Sequence, residues 1–215
     1  MIRRTALALG AAAVLTGGLA APALTAAKPA ASSLSADDQA LVKQATDYLQ
    51  NLKTVQGKFT QTSANGATST GTFYMQRPGK ARFQYDPPAQ MLIVSDGYNV
   101  KVADFRLKTF DSYPLGRTPL ELLLAREVRL DRGVAITGVE RTPTGFSITA
   151  VDPHKKAQGR ITIHFSQSPT ALRGWTVLDA QGQQTRVVLG DLKPVSSLDP
   201  NLFVLRDSRP RSGRP

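Results

Sequence analysis

Few side chains in this sequence have the type and spacing to do chemistry. Among 215 residues there is no cysteine and there are only two histidines, His154 and His164. Without cysteine there is no thiolate nucleophile, no zinc–thiolate site and no disulfide. His154 lies in the polar run Asp152-Pro-His-Lys-Lys156, and His164 falls on the polar side of an alternating strand beside Thr162. Both are expected at the solvated surface, and neither has a nucleophile at a spacing that would make it a general base. Asp96-Gly97 reads as a turn before it reads as a catalytic acid. No glycine-rich phosphate loop and no metal-ligand cluster appears. The inventory points away from an enzyme and implies no cofactor and no metal.

One residue is out of place instead. In Gly71-Thr-Phe-Tyr-Met-Gln-Arg77-Pro78 a period of two puts Phe73, Met75 and Arg77 on one face and Thr72, Tyr74 and Gln76 on the other. Pro78, which has no N–H, ends the ladder. A guanidinium at the rim of an apolar face has two outcomes. It snorkels back to water, or it finds acceptors on something lying across that face.

The elements that hold this arginine follow from pattern. Arg3 and Arg4, an apolar run from Ala6 to Leu19, and small-residue sites ending at Ala23 or Ala26 read as a cleaved secretory signal over residues 1–26. The apolar run is too short and too rich in Ala and Gly for a membrane anchor. Residues 27–34 read as a flexible leader, 35–206 as one domain, and 207–215 as a disordered basic tail. The formal net charge is +11, and loss of Arg3 and Arg4 lowers it by only two. Such a charge suits work beside an anionic membrane or an acidic partner. Export and the lack of interleaved basic and aromatic residues argue against nucleic acid.

Ser35 can cap a helix, with Asp38 three residues on and an apolar stripe Leu41, Ala45, Tyr48, Leu49, Leu52 running to about Lys53. The period then switches to two. Strands are expected at Thr54–Thr62, Thr68–Arg77, Lys80–Asp86, Gln90–Ser95, Tyr98–Ala103 and Lys108–Tyr113, and again at Val134–Arg141, Gly145–Asp152, Gly159–Ser166, Leu172–Asp179 and Gln184–Asp191. Turns such as Asn65-Gly66 and Gln181-Gly182 separate them, and connections this short require antiparallel neighbours. About eleven such strands form a mainly β, strongly curved, incomplete barrel. Between the two sets, Thr118-Pro119-Leu120-Glu121 starts a leucine-rich helix, with Thr118 as its cap. That helix, and a last turn at Asp199–Phe203, are expected to cover the apolar mouth. The enclosed space is either a filled core or a cavity for lipid chains.

The stretch from Gly71 to Val100, GTFYMQRPGKARFQYDPPAQMLIVSDGYNV, resembles the LolA family of periplasmic outer-membrane lipoprotein carriers. The likeness extends to GKFTQ (Gly57–Gln61), PLGRTPLELLL (Pro114–Leu124), LRGWTVLDAQGQQT (Leu172–Thr185) and DPNLFVL (Asp199–Leu205). It implies a lidded half-barrel that holds lipoprotein acyl chains. It implies a monomeric periplasmic carrier without a lipid anchor, loaded by an inner-membrane lipoprotein-releasing ABC transporter and delivering to the outer membrane, with or without a receptor there. The arginine of the family's R-P motif, which clamps the lid, corresponds to Arg77. Phe73, Met75, Phe83, Tyr85, Met91, Ile93, Leu120, Leu123 and Leu124 are then expected to line one apolar cavity, although Leu92 and Val94 are as apolar as Met91 and Ile93. Ala81 departs from the family, standing where many relatives carry a bulky apolar residue that contacts the transporter or receptor. The same architecture also serves lipid or lipoprotein sensors acting on anti-sigma factors, which usually carry a second domain, and carriers of other lipids.

Overall fold

The computed structural model describes residues 34–130, 134–151 and 159–207. Most of the expected signal, leader and tail, and His154, lie outside these residues. Helix α1 (Ala36–Asn51) begins where Ser35 accepts the Asp38 N–H at 3.1 Å. It buries Leu41, Val42, Ala45 and Leu49, and stops when Leu52 turns extended. No helix among the described residues is long and apolar enough to cross a membrane.

One meander follows as β1 (Thr54–Thr62), β2 (Thr68–Gln76), β3 (Lys80–Tyr85), β4 (Met91–Asp96), β5 (Asn99–Asp104) and β6 (Thr109–Pro114). A second comprises β7 (Ala135–Thr142), β8 (Gly145–Val151), β9 (Arg160–Gln167), β10 (Thr170–Leu178) and β11 (Gln184–Leu189). All pairs are antiparallel, and β11 returns to β1 through Phe59↔Leu189 and Gln61↔Val187. The sheet order is β6-β5-β4-β3-β2-β1-β11-β10-β9-β8-β7, which leaves β6 and β7 as the two edges. The expected eleven strands are present within a few residues of their sequence bounds. A short twelfth, β12 (Lys193–Pro194), pairs with the start of β1.

Alternation decides which face is the interior. Phe73 and Met75, Ala81, Phe83 and Tyr85, Phe146 and Ile148, Ile161 and Ile163, and Val187 and Leu189 are all buried in one cluster with α1. At its centre the Phe59 ring meets Phe83 and Tyr85 edge-on at 5.4 and 5.0 Å. Trp175 closes on Phe73 and Phe83 at 6.2 and 6.0 Å. A β-bulge between Leu172 and Gly174 shifts the parity of β10, so Leu172 and Trp175, three residues apart, both reach this interior.

Three expectations need correction. Thr118 does not cap the second helix: its hydroxyl donates to the Leu115 carbonyl at 2.9 Å, inside the 3₁₀ turn Leu115–Arg117 that precedes α2 (Leu120–Leu124). The closing turn, a 3₁₀ helix at Pro200–Phe203, does not cover the mouth. Phe203 and Leu205 pack on the opposite face of the sheet, against Val94 and Ala103. This explains why β4 is apolar on both sides: Met91 and Ile93 pack against the interior, while Leu92 and Val94 meet the C-terminal segment. His164 is half-buried rather than solvated, with its Nε2 3.0 Å from the Thr176 hydroxyl on the next strand. Burial, and secondarily Arg186, lower its pKa.

The aromatic centre depends on a missing side chain. A Cβ at Gly71 would meet the Phe59 ring at 2.6 and 2.8 Å, and the Gln84 carbonyl oxygen besides. Gly71→Ala should therefore displace Phe59 and cost about 1–3 kcal/mol of stability. The check is a thermal melt, in which the midpoint should fall by roughly 3–10 °C.

Candidate functional site

The site is assembled where the β2–β3 turn meets the ends of both helices. β2 stops at Gln76, so Arg77 sits in the turn, its N–H donating to the Lys53 carbonyl at 2.8 Å. Gly79 takes φ +80°, and a Cβ there would fall 2.7 Å from the Gly97 Cα, so the turn requires glycine. Buried Ser95 fixes it from below, donating to the Gly79 carbonyl at 2.6 Å.

From this turn the Arg77 side chain reaches across the interior face. Its Nη1 donates to the Leu49 carbonyl in the last turn of α1. Nε and Nη2 donate to the Ala125 carbonyl just after α2 at 3.2 and 2.5 Å, and Nη2 also reaches Arg126 O at 3.5 Å. Beside it, Gly79 N–H donates to Leu124 O at 2.8 Å. Helix C-termini present carbonyls without intrahelical partners and carry partial negative charge, so a cation is favoured there. Among the described residues no carboxylate pairs with Arg77. Burial lowers its pKa from the usual arginine value, yet an arginine remains protonated at any physiological pH.

Sequence reasoning missed Gln50. Though exposed, it donates from Nε2 to Arg126 O at 3.4 Å, and its Oε1 accepts the Val128 N–H at 2.9 Å. It therefore ties the chain after α2 to the end of α1. A polar residue on the outer side of an amphipathic helix carries no sequence signal of such a task.

Beneath α2, Leu123 and Leu124 are buried and Leu120 half-buried against Phe73, Met75, Ala81, Leu172 and Trp175. The free volume there is only about 10 Å³, room for about one water. The expected single open cavity is thus filled in this structure, and the leucines of α2 are what fills it. Phe83 and Ile93 lie elsewhere in the same cluster. Tyr85 and Met91 belong to that cluster too and also border a separate cleft of about 370 Å³ with Leu92 and Phe105. The Tyr85 hydroxyl donates to Gln61 Oε1 at 2.7 Å, and burial pushes its pKa well up. A third space, about 750 Å³, opens between α1 and Glu127–Leu130, with Val134 and Ile136 on its wall.

The sequence matches the family described as outer membrane lipoprotein carrier protein LolA over residues 50–206, from the end of α1 to the C-terminal segment. The chain belongs to the LolA family. It is similar to an outer-membrane lipoprotein carrier protein of Methylococcus capsulatus, 32% identical over 165 residues that cover 73% of this chain and 78% of the relative. One from Pseudomonas aeruginosa strain UCBPP-PA14 is 27% identical over 184 residues, covering 80% and 86%. Among solved structures, a LolA superfamily protein from Nitrosomonas europaea aligns over 78% of this chain and 97% of its own, at 12% identity and a TM-score of 0.43. In this LolA-family chain Ala81 is 1% exposed, opposite Met75 and under α2. A bulky side chain at that position would compete for the space the α2 leucines now occupy.

Arg77→Leu should loosen α2 without unfolding the sheet. Hydrogen bonds to a charged group contribute about 1.5–3 kcal/mol, so amides of residues 122–128 should exchange with solvent roughly ten- to a hundred-fold faster. Arg77→Lys should fall between, since an ammonium lacks the planar fork. Unchanged exchange in both variants would show that the guanidinium does not hold the segment.

Proposed function

We propose that this protein is a periplasmic carrier that shields the acyl chains of lipoproteins between the inner and outer membranes, with α2 as a lid that Arg77 holds shut when the carrier is empty. The observation that carries this reading is the Arg77 guanidinium bound to carbonyls of both helix ends, directly above an apolar interior plugged by Leu120, Leu123 and Leu124. Membership of the LolA family supports it. On this reading an inner-membrane releasing transporter loads the carrier, and an outer-membrane receptor or the membrane itself unloads it.

Magnitudes decide what such a lid accepts. Exposing three leucines costs about 1.5–3 kcal/mol each, and releasing Arg77 about 1.5–3 more, so opening costs roughly 6–12 kcal/mol. Burying one chain of roughly 15 methylenes returns about 12 kcal/mol. Association itself costs at least about 4 kcal/mol. One chain is therefore close to break-even or unfavourable, whereas two or three exceed the cost clearly. The opposing closure keeps the cargo transferable, because a ligand shifts the lid only by its differential affinity.

Titration of the purified protein with lipopeptides bearing one, two or three acyl chains tests this. Binding should be weak for one chain and at least a hundred-fold tighter for two. Arg77→Leu should load normally but release poorly to acceptor vesicles, because closing over an empty interior is no longer favoured. Equal affinity for one and for three chains would refute the lid argument. Normal transfer by Arg77→Leu would remove Arg77 from the mechanism.

A further inference from the structure

The β5–β6 hairpin ends in Asp104-Phe105-Arg106-Leu107-Lys108, at the end of the strand ladder opposite the Arg77 turn. Phe105 is 52% and Leu107 60% exposed. The backbone of the tip holds them outward. Asp104 Oδ1 accepts the Leu107 N–H at 2.8 Å, and Phe105 N–H donates to the Gln90 carbonyl at 2.8 Å. Arg106 and Lys108 are exposed, and neither has an ion-pair partner among the described residues. The adjoining β3–β4 connection adds Pro87, Pro88 and Ala89, while its one charge, Asp86, accepts from the Thr70 hydroxyl at 3.1 Å.

We propose that this tip is a docking contact for an anionic lipid surface. Phe105 and Leu107 enter the headgroup region, and Arg106 and Lys108 lie against lipid phosphates and acidic headgroups. Apolar and cationic side chains alternate along this narrow, exposed tip. A stable protein partner needs about 800 Å² of complementary surface per side, which four tip residues do not offer. A bilayer interface accepts a narrow apolar tip, and cations beside it are attracted by anionic lipid. The charge of the whole chain, +11, has the same sign. The contact does not depend on how the lid works, and it leaves the Arg77 end free.

Flotation of the full chain with vesicles tests it, comparing phosphatidylethanolamine vesicles containing phosphatidylglycerol with pure phosphatidylcholine. The wild type should bind the anionic vesicles, more weakly at high salt, and bind phosphatidylcholine poorly. F105S/L107S and R106E/K108E should each lower anionic-vesicle binding at least ten-fold, while circular dichroism and lipopeptide loading stay as in the wild type. The basic residues beyond Asp207 are identical in all three proteins and serve as the internal control. Undiminished binding by either double variant would overturn the proposal and place the contact elsewhere on the chain. So would absence of wild-type binding to anionic vesicles, or a wild type that binds an acidic protein surface but no vesicle.

Discussion

A single cation held by neutral acceptors organises this molecule. Arg77 would be costly to bury unpaired, and a carboxylate would have been the strong solution. The chain instead supplies carbonyl oxygens from the ends of two helices, which cannot be lost to protonation and exist only while both helices end where they do. The bonds are thus a readout of geometry. They exist because α1 and α2 both end at the β2–β3 turn, and those to Ala125 and Arg126 require α2 to end where it does. An ion pair with a carboxylate would hold the segment harder, because opening would then separate two opposite charges instead of a charge and neutral dipoles.

The other half of the balance is packing. The interior under α2 is nearly solid, so the closed state is an ordinary hydrophobic core rather than an enclosed void. Leu123 and Leu124 occupy it as core residues do, but they belong to a five-residue helix that buries little else. An element so short has no intrinsic helical stability and depends on its contacts. Core-like burial is thus carried by a segment without stability of its own.

Much of this was legible in the sequence because it rests on periodicity. The switch from a 3.6 to a 2.0 repeat near Lys53, the turn dipeptides, and the parity that set Arg77 beside Phe73 and Met75 are local properties. What stayed hidden is not written in side-chain type. Every residue has a carbonyl, so nothing marked those of Leu49 and Ala125 as acceptors. The bulge at Gly174 changed the parity of β10, which concealed that Leu172 and Trp175 share a face. Thr118 looked like a cap because its spacing fits one, yet the preceding 3₁₀ turn offered its hydroxyl a nearer acceptor. The apolar outer face of β4 became intelligible only with Phe203 and Leu205 resting on it.

β6 and β7 are the two unpaired edges, so the barrel is incomplete rather than closed. In a closed barrel, a wider bore means a changed stagger and broken ladder bonds. Here the two edge strands can part with every inter-strand bond intact, and the chain from Leu115 to Val134 runs from one to the other. Fully straightened, these 20 residues would span about 65–70 Å, so what ties the edges together is the packing of α2 on the interior rather than the length of the chain. The girth of the sheet is therefore set by what packs inside it rather than by its ladder of strands.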